Sequence, residues 1–282
     1  MDKTARRIET DLEESNTASH PANPGGLAAF FDKHENKILA LTAVVIFLIL
    51  WEILPAYGIF KPIFTSSPSR VVNAAQWLFA HGFTYDIWVS AQEFAVGFSM
   101  AVLIGIPLGI LLGWNRRLNA MFDPFIAALY ATPRVAFLPL LILWLGIGTK
   151  SIIAVVFLGA FFPILLNTLT GVKTVDEDLL LCARSFRAND FQILTTLALP
   201  TSVPFIITGM RLGVGRGLVG VVVGELIASQ AGIGHMMSLA SSTFQTDKYF
   251  VGVVILAVCG YIFTEALKLL ESRFESWRPG SR

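Results

Sequence analysis

The sequence predicts an all-α, polytopic membrane protein with six transmembrane helices. Three observations carry this expectation. First, 54% of the 282 residues are hydrophobic and 15% are charged, with a mean hydropathy of +0.66, whereas soluble domains hold about 25% charged residues. Second, six apolar stretches recur along the chain, each long enough for the ~20 residues that cross a bilayer. Third, lysine and arginine are unevenly shared between the connections that join those stretches.

The elements follow in order. Residues 1–37 are polar and mixed in charge, and the first apolar run starts only at Ile38. A secretory signal places its apolar region earlier, so 1–37 is expected to be a disordered cytoplasmic tail. Residues 38–282 are expected to form one transmembrane domain. Its first apolar stretch covers roughly 38–57. A polar, amphipathic segment at 66–85 precedes the second, 87–113. The third, 120–146, is interrupted by Pro133, Arg134 and Pro139, so a break is expected inside it. The fourth is 151–171, the fifth about 197–228 and the sixth about 250–270. With the N-terminus placed inside, fourteen Lys and Arg fall on the inner side. Four fall outside (Lys61, Arg70, Lys150, Lys248), and Arg134, Arg211 and Arg216 fall within apolar stretches. This excess puts both termini, and the polar loop at about 173–192, on the cytoplasmic side.

Two stretches carry small residues at every fourth position. Gly97, Ala101, Gly105, Gly109 and Gly113 form one ridge, and Gly209, Gly213 and Gly217 form another. That spacing puts each set on one helix face, where small residues let two backbones approach in lipid. The ridges mark either packing inside the bundle or a dimer seam.

Charges within spans cost roughly 2.5–3.5 kcal/mol each on insertion scales and are functional candidates by default. Arg211 near the inner side reads as a structural, snorkelling residue. Arg216 lies deeper, and Glu225 falls on the opposite helix face from it. Glu93 is a candidate partner for Arg216 or Lys150. Arg134 beside a proline break stands where backbone lines a cavity or is buried in protein. Its fork matches oxyanions, so Arg134, with Arg216 and Glu225, is a candidate for the path of a small anion. The alternative for Arg134 is an ion pair or a headgroup contact.

Several activities find no support. A net charge of +1 offers no basic stripe for nucleic acid. Cys182 and Cys259 make neither a disulfide framework nor a zinc pattern, and no other metal motif occurs. The four histidines are scattered, and no catalytic signature appears. The nearest approach to a phosphate-binding loop, Gly148-Thr149-Lys150-Ser151, lacks the upstream glycine and the G-K spacing. No cofactor is therefore expected in this chain. Any energy must come from a partner or an ion gradient. An ion-driven carrier is disfavoured by the absence of an internal repeat, and a membrane enzyme by the missing acid, base and nucleophile.

The segment DEDLLLCARSFRANDFQILTTLALPTSVP, Asp176 to Pro204, has polar ends and apolar residues Leu179, Leu180, Ala183 and Phe186 at helical spacing. Its length suits two short helices joined by a turn. From the residues alone it is either a docking element or a helix lying in the headgroups.

The segment resembles the cytoplasmic loop of permease subunits of ABC importers, in the group that handles nitrate, sulfonates and taurine. That loop reads E-A-A-x3-G-x9-I-x-L-P. Leu181, Cys182 and Ala183 stand at E-A-A, Arg187 at the glycine, Leu197 at the isoleucine, and Leu199-Pro200 close the motif. The stretches 97–118, 122–151, 161–172, 204–234 and 270–279 also resemble family segments, so the likeness runs over about 85–280. It implies a type I ABC importer permease fold in a bacterial cytoplasmic (inner) membrane, with a coupling loop that docks into a separate ATPase subunit. The positions implied for coupling are Asp176, Glu177, Leu181, Cys182, Ala183, Phe186, Arg187, Leu199 and Pro200. The further partners implied are an extracytoplasmic substrate-binding protein and a second permease copy. Related permeases also move a thiamine-type pyrimidine precursor. The departures sit at Leu181, where the family has glutamate, and at Arg187. If the family's turn needs φ > 0, Arg187 costs about 1 kcal/mol there.

Overall fold

A computed structural model describes residues 26–57 and 63–273, and among them every regular element is helical. The chain divides after Tyr57. The first unit carries α1 (Gly26–Ala56), of which Ile38–Pro55 is long and apolar enough to cross a membrane. The helix starts at Gly26, well before the apolar run. Residues 26–37, expected as tail, are its first turns, and 1–25 lie outside the described residues.

The second unit holds α2 (Pro68–Ala80), α3 (Phe83–Trp114), α4 (Arg116–Ala131), a 3-10 turn (Arg134–Phe137) and α5 (Leu138–Leu145). There follow α6 (Thr149–Lys173), α7 (Glu177–Ser185), α8 (Asp190–Ile193), a π turn (Leu194–Ala198), α9 (Leu199–Ala228), α10 (Ile233–Ser242) and α11 (Thr246–Ser272). Among the described residues five helices meet the length and hydropathy of a span, and the pair 116–131 and 134–145, bent by 90°, makes a sixth if it is counted as one span. The pair breaks at Thr132-Pro133, where extended backbone (ψ 131 and 115) ends α4. Pro139 was expected to share in the interruption. It stands instead in the first turn of α5, where a missing N–H costs nothing.

The core is built on α6, packed between α3 and α9. Within the span window of α6, 61% is buried, against 11% for α11. The glycine ridge of α3 explains the closeness. A Cβ on Gly97, Gly109 or Gly113 would stand 2.7–2.8 Å from the Cβ of Val156, Thr168 or Val172. Gly105 meets Ile164 in the same register. The sequence offset is constant along the row, so α3 and α6 run parallel and stay in step. The ridge of α9 runs the other way. Gly209 faces Asn167 and Pro163, Gly213 faces Ala160 and Ile164, and Gly217 faces Val156 and Phe94. Gly220 and Gly224 continue the row against Val156 and Ile152, a prolongation by steps of three and four that was readable but not singled out. Both ridges thus face α6 of the same chain.

The core has two distinct ends. At one, Val172, Val175 and Ala198 pack with Ile110, Trp114, Leu180, Leu194 and Leu197, anchoring α7 and α8. The second short helix expected in the loop is the start of a continuous helix that runs on through the π turn into α9. The π turn ends two residues before Pro200. A proline lacks the N–H that the regular ladder needs, and the wider turn takes up the mismatch. Arg211 also lies toward the loop end, where its Nη1 meets Glu271 Oε2 in the last turn of α11 at 3.1 Å.

Candidate functional site

The loop is defined by its caps. Asp176 accepts a hydrogen bond from the Asp178 N–H at 2.9 Å and starts α7, with Glu177 and Asp178 in the first turn and Arg184 in the last. These charges suit the helix dipole. The helix ends at Phe186. The Arg187 N–H donates to Arg184 O at 2.9 Å and the Ala188 N–H to Ala183 O at 3.1 Å, the paired bonds of a Schellman end. Such an end needs a left-handed residue, and Arg187 supplies it at φ 58. Asn189 and Gln192 then exchange two bonds of 2.8 Å as a capping box for α8.

These caps decide which side chains face outward. Leu180 and Ala183 turn toward the body and are half-buried. Leu181 is 62% exposed, Phe186 84% and Phe191 73%, and Cys182 is exposed beside them. Leu199 and Pro200 are half-buried at the head of α9. Phe191 was missed in the sequence because it lies beyond the turn, outside the helical stripe of α7.

The arginines form the second feature. Arg134 opens the 3-10 turn after the break. Its guanidinium lies over the rings of Tyr130 (5.1 Å) and Phe162 (5.8 Å), and Nη2 donates to Tyr130 O at 3.4 Å. Its Nε is buried without a partner. Arg216 is close enough to act on it electrostatically. The depth agrees: the backbone of Arg216 touches Gly159, three residues before Phe162 on α6. Phe162 is roughly 20 Å along α6 from its start at Thr149. Among the described residues neither arginine is placed in an ion pair.

Glu225 is not with them. It lies about 13 Å further along α9, 1% exposed. Its Oε1 accepts from Ser90 Oγ at 2.5 Å and its Oε2 from the Gly234 N–H at 2.6 Å. Ser90 Oγ in turn accepts from the Ile233 N–H, and Asp86 Oδ1 from the Gly232 N–H, both at 2.8 Å. Glu225, Ser90 and Asp86 together hold the N-terminus of α10. Gly232 (φ 111) and Gly234 are glycines because a Cβ there would fall 2.5 Å and 2.7 Å from the Glu225 side chain. Asp86, Ser90 and Glu93 stand four and three residues apart, a polar face on an apolar helix that the sequence offered as a signal.

Glu93 was expected to pair with Arg216 or Lys150. The side chains beside it are those of Glu225 and Thr149. Both are near enough to act on its charge, and both carboxylate oxygens are buried without an assigned donor.

Comparison with known proteins agrees with this architecture. A permease of Bacillus subtilis (strain 168) named for aliphatic sulfonate transport is 34% identical over 86% of this chain and 87% of its own. A taurine transport system permease of Escherichia coli (strain K12) is 30% identical over 85% and 89%. A bicarbonate transport system permease of Synechococcus elongatus is 31% identical over 93% and 95%. Among solved structures, the inward-facing MetNI methionine ABC transporter superposes with a TM-score of 0.59 at 18% identity, covering 70% of this chain and 96% of that one. Residues 105–276 match the family of binding-protein-dependent transport system inner membrane components, and the chain belongs to that family.

Proposed function

We propose that this chain is a membrane-spanning subunit of an ATP-driven importer, lining the path of a small anion such as a sulfonate, taurine or nitrate. The observation that carries the reading is Arg134, a guanidinium at mid-span, beside a second arginine and facing no carboxylate among the described residues. A desolvated, unmatched cation is costly. An oxyanion arriving between two guanidinium forks offsets that cost and is gripped by planar, paired donors. The names of the relatives support an anion of this size.

The motive force would come from a cytoplasmic ABC ATPase gripping the α7–α8 loop. Leu181, Phe186 and Phe191 expose the apolar surface that such a groove would cover, and burying one large side chain is worth about 1.5–3 kcal/mol. Because α8 continues without a gap into α9, movement of the loop reaches Arg216 directly. A second copy of the chain would complete the path, and an extracytoplasmic binding protein would deliver the anion. Both termini and the loop would lie on the cytoplasmic face.

The test is uptake in proteoliposomes holding the chain, its ATPase and its binding protein, with labelled taurine, an alkanesulfonate and nitrate compared. Arg134→Gln is expected to lower ATP-dependent uptake by about 10- to 100-fold, the worth of one charged hydrogen bond. Unchanged uptake with normal assembly would remove Arg134 from the path. Uptake driven by an ion gradient without the ATPase would overturn the importer reading.

A further inference from the structure

The buried Glu93 carboxylate has no role in the proposed anion path, which lies about halfway along α6, and its oxygens have no assigned donor. It borders a cavity of about 460 Å³ at the end of the core remote from the loop. The polar residues Gln92, Thr149, Ser229 and Gln230 line the same cavity. Behind Glu93 stands Glu225. The charge of Glu225 is answered by Ser90 and by the first N–H groups of α10. The charge of Glu93 is not: the N-terminus of α6 also borders the cavity, yet no donor reaches either Glu93 oxygen. Ionised, Glu93 would leave one negative charge unanswered in a low-dielectric pocket, and a buried charge persists only when paired.

We propose that this cavity is a site for a monovalent cation, held by Glu93 with Glu225 adding to the field and with side-chain oxygens of Thr149 and Gln92 completing the shell. One positive charge matches the one unanswered carboxylate. Hard oxygen donors suit an alkali-metal ion or an ammonium group rather than a soft transition metal. The room in the cavity admits either a free ion with water or the ammonium end of a small amine.

The test uses the full chain in lipid nanodiscs at constant ionic strength, with N-methylglucamine chloride exchanged for NaCl, KCl or methylammonium chloride. The thermal unfolding midpoint is expected to rise by about 3 °C on saturation. In Glu93→Gln the midpoint in N-methylglucamine is expected to be at least that of the parent, and its cation dependence to vanish. A response to Na+ or K+ alone assigns a free ion, and a stronger response to methylammonium assigns an amine. A midpoint that ignores all three cations, or a dependence that survives unchanged in both Glu93→Gln and Glu93→Ala, overturns the proposal. The readout is stability, so failure of the anion-import reading would leave it standing, and the reverse holds as well.

Discussion

At one end α9 emerges from a loop whose large apolar side chains point outward. At the other it carries a carboxylate with both oxygens bonded inside the protein. The loop end is well capped in its backbone and unfinished in its side chains: Phe186 and Phe191 are 84% and 73% exposed. The remote end is the reverse, with Glu225 1% exposed and locked between α3 and α10. The contrast separates an exposed apolar surface, which suits the proposed docking, from a buried, hydrogen-bonded joint. It also predicts where substitutions act: on stability at the joint, and on association at the loop.

The sharpest way to break the comparison is at Gly232. Gly232→Ala forces a Cβ to within 2.5 Å of the Glu225 carboxylate at φ 111 and is expected to destabilise the chain by about 3 kcal/mol, read as a lower unfolding midpoint in nanodiscs. A neutral result would mean that the joint yields. At the loop, Phe186→Ala is expected to leave the midpoint unchanged but to weaken ATPase docking by about 10- to 100-fold. With Cys259 replaced by alanine, Cys182 reports this directly: titrated ATPase should shield it from an impermeant thiol reagent in the parent and fail to do so in the variant. Equal shielding would make the apolar face a headgroup contact. The smallest effect is expected at Arg187, where Arg187→Gly relieves the left-handed backbone and should stabilise the chain by about 1 kcal/mol. A loss instead would show that the arginine side chain contributes more than its backbone costs.

What could be read beforehand follows the range of the interactions. The break in the third span was legible because proline acts on its own backbone, and the structure moves it only from a shared Pro133–Pro139 interruption to Pro133 alone. The glycine ridges were legible as faces because their spacing is local. Whether they faced the same chain or another was not, since that depends on the register between helices. The need for φ > 0 at Arg187 was visible through the resemblance, and the structure finds φ 58 there. Long-range polar pairings were not visible. Glu93 meets Glu225 instead of a cation, because the partner of a buried charge is set by three helices at once. The start of α1 at Gly26 was missed because polar residues extend a helix beyond its apolar run without any change in hydropathy.

The run from Asp190 to Ala228 is one helix of 39 residues, about 58 Å long. Its glycines from Gly209 to Gly224 rest on α6, so a lever of this length would turn about that row. A tilt of ~5° about its midpoint carries each tip through about 2.5 Å by the same length. That displacement is as large as the 2.6 Å bond that ties Glu225 to Gly234. If the helix tilts as one rod, a small push at the capped loop would be expected to strain the Glu225 joint at the opposite mouth, and Gly234→Ala in that joint tests the link through the unfolding midpoint.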